Sequence, residues 1–467
     1  MKIIMKFGGT SLGSADKVRN VSKIVKDYSV NNQIILVASA LSGVTNSLVR
    51  LSELVKTSNS EKIVNELEKL SELHTNISKN SIKDPNIENE VLESISSILD
   101  ELKRLLEGII SLGEITPRSR DRIISFGERL SVLVVTGALK DIGINAKKFT
   151  GAEAGIVTDE EYGEANPLMS ITKMKISKTL QPLLSKGIVP VVTGFMAATQ
   201  TGDITTLGRG GSDFTATILG AAISADEVWI CTDVNGMMTT DPKIMPNART
   251  IPQLSYSEAL EMTVFGAKAL HPRALEPAQE NKISVRVKNT FNLSGSDTLI
   301  SNDQSIVRGK VAKSVALIKD VAMVNIGGAG MVGKPGIAAK VFDTFAREGI
   351  NILMISQSVS EANISLVIRR NHLEKAVNTL EISLLGRGFV NSVNAEDDVG
   401  VIAVVGAGMQ GSQGVAARVF NALAKKGINI RMIAQGSSEL NISIVIKEKN
   451  CENAVKAIHE EFEMDTP

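Results

Sequence analysis

Lys2-Ile3-Ile4-Met5-Lys6-Phe7-Gly8-Gly9-Thr10-Ser11 opens the chain with an apolar run that stops at two glycines and two hydroxyl residues. An apolar segment of that length ending in Gly-Gly predicts a buried strand at Lys2–Phe7 followed by a tight turn. Glycines there let backbone N–H groups approach an anion closely. Ser11 adds a hydroxyl, and Lys6 supplies a point charge suited to a transferring phosphoryl group. Gly-Lys-Ser/Thr is absent, so this is not a Walker loop. A turn with no ligand has the same local pattern.

Further along, Gln33–Ala38, Ile188–Val192 and Glu227–Thr232 read as strands alternating with helical stretches, which predicts a layered α/β domain. Between Ser47 and Leu112 a Leu/Ile stripe at helical spacing, broken by Asp84-Pro85-Asn86, predicts a helical hairpin. Two more loops carry chemistry. Gly208-Arg209-Gly210-Gly211-Ser212-Asp213 precedes a helical pattern over Phe214–Ala222, so an anion would meet the positive end of a helix. The planar fork of Arg209 suits a carboxylate, and Asp213 either caps that helix or belongs to the site. Thr232-Asp233-Val234-Asn235-Gly236 leaves the strand Val228–Cys231, and Thr239-Thr240-Asp241-Pro242 follows.

The C-terminal third repeats itself. Gly328, Gly330, Gly333, Gly336, Asn351, Gln357 and Asn363 match Gly406, Gly408, Gly411, Gly414, Asn429, Gln435 and Asn441 at a constant offset of 78. Two copies are too few for a solenoid, so a pair of similar domains is expected. In the first copy strands are predicted at Ala322–Ile326, Asn351–Ser356 and Ile364–Ile368, with helices over Gly336–Glu348 and Leu373–Leu385. This is the ferredoxin-like βαββαβ pattern. The second copy ends after its helix Glu452–Phe462 and lacks a last strand, for which Ser314–Ile318 is the candidate. The first copy therefore reads as inserted within the second, giving 319–394 for the first domain, 301–318 with 395–467 for the second, and 1–300 for the α/β domain.

Lys plus Arg equals Asp plus Glu at 51 each, which argues against a general nucleic-acid binder, because that affinity rests on clustered positive charge. No apolar run reaches the roughly 18 residues a membrane helix needs, and Ile3–Met5 is too short for a signal peptide, so a cytoplasmic protein without membrane partners is expected. Cys231 and Cys451 stand alone, which predicts reduced structural thiols and no metal cluster.

In order along the chain, Lys6-Phe7-Gly8-Gly9-Thr10-Ser11, Ser39 to Asn46, Phe126-Gly127-Glu128, the Gly208 to Asp213 loop, Thr232-Asp233-Val234 with Thr239 to Pro242, and Phe265-Gly266-Ala267-Lys268 through His271-Pro272 resemble the amino-acid kinase superfamily, and within it the aspartokinases. The paired repeats resemble the ACT domains of that family. The resemblance implies an αβα layered catalytic domain followed by two ACT domains, and transfer of the ATP γ-phosphoryl group to the side-chain carboxylate of L-aspartate. That reaction opens the pathway to lysine, threonine and methionine. Lys6, Asp213 and Arg209 would be catalytic. Gly8, Gly9, Ser11, Ser212, Thr232, Asp233, Met238, Lys243 and Lys268, with Lys6, would hold ATP. Ser39, Thr45, Glu128 and Arg209 would hold aspartate. Met238 stands where a tyrosine is common in the family, and Lys243 where an arginine is frequent.

An aspartate carboxylate is already ionised at neutral pH, so positioning and charge neutralisation should suffice, with Mg2+ entering alongside ATP. The alternatives are a related kinase acting on glutamate or acetylglutamate, and a non-catalytic amino-acid sensor. The repeats imply a homo-oligomer, a dimer or a tetramer, and an allosteric amino acid. By resemblance its site comprises Gly330, Met331, Asn351, Ile352, Gln357, Asn363 and Ile364 in the first repeat, with the second as a further candidate. Lysine-sensitive relatives carry an acidic residue where this chain has Leu353, whereas Gln357 can bond a hydroxyl; threonine is the expected effector.

Overall fold

The structure, a computed structural model, describes residues 1–57, 60–264, 270–302 and 310–466. The chain divides into two compact units, Met1–Met237 with Pro252–Tyr256 and Lys268–Asp303, and Met238–Ile251 with Ser257–Ala267 and Gln304–Pro467.

Among the described residues the first unit is built on eleven strands: β1 (Lys2–Phe7), β2 (Gln33–Ala38), β3 (Ala146–Phe149), β4 (Val157–Thr158), β5 (Val189–Thr193), β6 (Met196–Thr199), β7 (Ile204–Thr206), β8 (Glu227–Thr232), β9 (Gln253–Ser255), β10 (Ser284–Asn289) and β11 (Thr298–Ser301). Eight form one sheet in the order β3-β5-β2-β1-β8-β10-β11-β9, and β4-β6-β7 form a small one. The run from β3 to β10 is parallel throughout. Consecutive residues of β1, β2 and β8 are buried, as a parallel sheet covered on both faces requires. Chain order reverses at β1, with β2 on one side and β8 on the other. Ligands of open parallel sheets bind outside the C-terminal ends at such a switch point.

The expected helical hairpin is present as Ser60–Ser81 and Pro85–Leu112, preceded by a separate helix Val44–Leu54. Its break is specified locally: the Asp84 carboxylate accepts from the N–H groups of Asn86 (2.8 Å) and Ile87 (3.3 Å), and Pro85 starts the next helix. Val91, Ile95, Leu102, Leu106 and Ile109 bury one face of the second arm in the main core.

In the second unit six strands, β12 (Ser314–Gly327), β13 (Ile352–Gln357), β14 (Asn363–Arg369), β15 (Ser392–Val405), β16 (Ile430–Ala434) and β17 (Asn441–Lys447), form one sheet in the order β13-β14-β12-β15-β17-β16. The two strands expected at Ser314–Ile318 and Ala322–Ile326 are a single strand. Lys319-Asp320 resembles a turn, but Asp320 absorbs the irregularity with φ 58° as a bulge, and pairing to β15 resumes beyond it. Ser314–Ile318 pairs with Val401–Val405 and thereby completes the second repeat, so the first repeat is inserted in the second. The helix expected over Leu373–Leu385 is α-helical to Leu380 and finishes as a π-helical turn, Glu381–Leu385. Each repeat has its own core, one around Val341, Phe345 and Leu366, the other around Val419, Ile444 and Ile458.

No helix among the described residues is long and apolar enough to cross a membrane. Both cysteines are free and buried, and burial pushes the Cys231 thiol up to about 12 and that of Cys451 up to about 11, so both stay protonated.

Candidate active site

The register of the parallel sheet assembles the site. Phe7 lies opposite Ala38 on one side and Cys231 on the other, so the segments beginning at Gly8, Ser39 and Thr232 leave the sheet together. Ser39 N–H donates to Phe7 O (3.2 Å) and Gly8 N–H to Cys231 O (3.4 Å). A side chain at Gly9 would put its Cβ 2.9 Å from Ala40 O, so only glycine lets these two turns touch.

The helix Gly211–Ile223 brings the second loop in from across the edge. Its Ser212 hydroxyl donates to Ser39 Oγ at 3.2 Å, and Asp213 Oδ1 sits 2.5 Å from Lys6 Nζ, both side chains nearly buried. Arg209, one residue before the turn at Gly210 (φ 73°), is exposed and makes no ion pair among the described residues. Thr45 is half-buried in the first turn of the helix Val44–Leu54. Thr232 ends β8, and its hydroxyl donates to Asp233 at 3.2 Å.

Glu128 is the most unusual group. Gly127 lets the helix Pro117–Asp141 press against Ala40, Val44 and Leu48, which carries Glu128 beneath the β2 turn. One carboxylate oxygen accepts from Ala40 N–H at 3.1 Å, and the other is buried with no partner. Burial raises its pKa to about 8. A buried acid with a bare oxygen suits a ligand that brings a positive charge.

Four supporting residues lie outside the expected site, and three of them carry no local signal in the sequence. Thr290 shares a 2.7 Å hydrogen bond with the buried Ser11 hydroxyl across 279 residues of chain, so Ser11 is held from behind. Asp121, two turns before Glu128, accepts from Thr206 N–H (2.7 Å), Thr206 Oγ1 (2.9 Å) and Gly163 N–H (2.9 Å), and so fixes the approach to Arg209; burial raises its pKa. Phe195 adopts φ 65°, a conformation costing about 1–3 kcal/mol, over-determined by hydrogen bonds from its N–H to Thr215 Oγ1 and from Leu207 N–H to its O. His271 packs on Gly210, where a Cβ would lie 2.2 Å away; burial, then the charges of Arg209 and Arg273, lower its pKa. The signal that could have led to His271 was its place in the last quoted motif.

The structure thus brings together Lys6, Gly8, Gly9, Ser11, Ser39, Glu128, Ser212, Asp213 and Thr232. Met238 and Lys243 belong to the second unit, and Lys268 lies outside the described residues. The residues expected to bind an effector fall into two groups. Gly330, Met331, Gln357, Asn363 and Ile364 share one end of the sheet, because Gln357 pairs with Ile364 and the turn follows Gly327, the partner of Asn363. Ile352 instead pairs with Ile368, at the far end of β13, with Asn351 just before it. Five residues of strand span about 16 Å, so one chain does not bring Asn351 and Ile352 to the turn.

Comparison with known proteins places this geometry. Residues 1–289 match the amino acid kinase family, and residues 324–384 and 402–462 each match the ACT domain. Aspartokinase 1, chloroplastic, of Arabidopsis thaliana is 34% identical over 466 residues, covering 98% of this chain and 80% of the relative. The structure of E. coli aspartokinase III with aspartate and ADP (R-state) superposes with a TM-score of 0.83 at 28% identity, covering 99% of both chains. Its complex with lysine and aspartate (T-state) gives 0.81 at 28% identity, covering 98% of this chain and 99% of the other.

Proposed function

The chain belongs to the amino acid kinase family, in its aspartokinase branch, and on that premise we propose how its residues divide the transfer of a phosphoryl group from ATP to the side-chain carboxylate of L-aspartate. The carrying observation is the Lys6–Asp213 pair at the switch point beside Glu128, a buried carboxylate with one oxygen unpaired. Aspartate presents its ammonium to Glu128 and its α-carboxylate to Arg209, with Ser39 and Thr45 beside it. Gly8, Gly9, Ser11 and Ser212 face the phosphates. Thr232 and Asp233, at the end of β8, face the nucleotide.

Lys6, held by Asp213, meets the charge that spreads over the transferring phosphoryl oxygens. The acceptor carboxylate is ionised, so no base is needed. Magnesium would enter bound to ATP: among the described residues no group of three or more His, Cys, Asp or Glu side chains could hold a metal ion, so phosphate oxygens and water would supply most of its ligands.

Glu128 also argues against the acetylglutamate reading, because an acetylated amine carries no charge to offset the buried acid. A coupled assay of ADP release with aspartate, glutamate and acetylglutamate tests this. Turnover with aspartate alone is expected, and preference for either of the others overturns the assignment.

For regulation, threonine is the effector this reading favours. Leu353 offers no acid for a lysine ammonium, while Gln357 stands exposed at the end of β13 beside the Gly-rich turn. Millimolar threonine should lower activity, lysine should not, and Gln357→Ala should relieve the effect. Inhibition by lysine alone overturns it.

A dimer or tetramer is supported by the sheet ends. β13 and β16 are terminal strands, and their matching residues Ile355 and Ile433 are exposed. A second copy would also supply Asn351 and Ile352 to a turn they do not reach in their own chain. A chain shortened to end near Ile300 should lose this association; persistence of the dimer would place the interface elsewhere.

A further inference from the structure

The two repeats match at an offset of 78, so each turn serves as a control for the other. Both turns are closed in the same way by their own copy: Gly333 N–H donates to Glu361 Oε2 at 2.9 Å and Gly411 N–H to Glu439 Oε2 at 2.6 Å. Glu361 and Glu439 even share a left-handed backbone, φ 55° and 52°. The symmetry fails at the next amide. In the second repeat Ala407 N–H is buried and donates to Glu258 Oε1 at 2.8 Å, from a helix outside both repeats. Its counterpart Ala329 is exposed, and no carboxylate partner stands on its N–H among the described residues.

Glu258 is itself fully buried and ion-paired to Lys313 Nζ at 3.0 Å, so the charge is held at the turn and cannot swing out to solvent. Glu261, from the same helix, accepts from the Asn441 side-chain amide, the counterpart of Asn363. The space differs too. A Cβ on Gly408 would meet Lys310 O at 2.8 Å and Val311 Cα at 2.9 Å, whereas one on Gly330 would meet nothing nearer than 3.9 Å.

We propose that Glu258 is a resident carboxylate that occupies the second repeat's turn, so that each chain takes one free amino-acid effector, in the first repeat only. A carboxylate on a backbone N–H of a Gly-rich turn is the contact that the α-carboxylate of an amino acid would make, and the second repeat already has one built in. The stoichiometric part rests on the reading of the repeats as effector sites; the occupancy of the turn by Glu258 does not.

Two measurements on the full chain separate these parts. Titration calorimetry with L-threonine, and with L-lysine in parallel, should give one site per chain for the amino acid that binds. Gln357→Ala should abolish it, and Gln435→Ala should leave both affinity and stoichiometry unchanged. Two sites per chain, or loss of binding in Gln435→Ala, overturns the proposal. Binding of neither amino acid overturns the effector reading, and amide hydrogen exchange then decides on Glu258. The Ala407 N–H should exchange at least about tenfold more slowly than the Ala329 N–H. The charge-matched double variant Glu258→Met with Lys313→Met, which removes the acceptor and leaves no lone buried lysine, should erase that difference. Equal exchange of the two amides in the unaltered protein overturns the proposal.

Discussion

The Gly-rich loops of the first unit and the Gly-rich turn of the first repeat look alike in sequence and differ in construction. Around Lys6 the glycines are wedged: Gly9 against Ala40 O, Gly210 against His271, and Gly211 against Phe195 and Leu207. The same region buries an unpaired acid oxygen and holds Phe195 in a strained backbone. At the first repeat's turn Gly328 is held against Asn391, but beyond it Gly330 meets nothing nearer than 3.9 Å, and Gly333 and Gly336 meet nothing within 4 Å. A site that must meet a transition state is fixed in advance, at a cost in stability, whereas a sensing turn can order itself around its ligand.

The largest effect that would break this contrast lies at Glu128. Its folded pKa of about 8 exceeds the ordinary value of 4.5, so the folded chain keeps a proton there that the unfolded chain loses. Stability contributed by this group is therefore present below about pH 4.5 and lost as pH rises to about 8. Glu128→Gln should remove that decline and gain up to about 5 kcal/mol over the unaltered protein near pH 9, read from denaturant unfolding at several pH values. Binding of aspartate should drive the proton off, releasing about one proton near pH 7 and none near pH 9, as calorimetry in buffers of different ionisation enthalpy would show. Parallel unfolding profiles for the two proteins would mean Glu128 is already ionised and paired.

Next comes Lys6→Ala, expected to lower kcat at least about a hundredfold with little change in the aspartate KM, as for loss of one preorganised donor. Near-normal turnover in a steady-state assay would remove Lys6 from the reaction.

The glycines sharpen the contrast directly. Gly211→Ala should cost about 1–3 kcal/mol, because the new Cβ would sit 3.1 Å from Phe195 Cα and 2.7 Å from its ring. The smallest effect is expected for Gly330→Ala, within about 0.5 kcal/mol, both read from denaturant unfolding. Comparable losses at both positions would show that the turn is as tightly built as the kinase loops.

What the sequence disclosed follows from how local each cause is. β1, β2 and β8 match their expected bounds residue for residue, because each is an apolar run closed by a turn signal. Gly8, Gly9, Ser39 and Thr232 were legible because each sits at the end of such a run, and Ser212 and Asp213 because they open a helical pattern. Thr290, Asp121 and Phe195 were not, since their roles arise from contacts with distant segments and their own surroundings in sequence are ordinary. The seam at Lys319-Asp320 misled for the opposite reason: a local turn signal was overridden by strand pairing on both sides. The division of the effector residues between two ends of β13 depends on register, which no single strand encodes.

β12 and β15 each run through both repeats without a break in the chain, Ser314–Gly327 and Ser392–Val405, lying side by side at the middle of the sheet. They act as two rails on which both repeats are mounted. Neither repeat can be excised without sawing through a central strand, so the pair should melt as one cooperative block. A twist imposed on the rails at one repeat must be taken up by the other, which makes the duplicated module a stiff lever in place of two beads on a string.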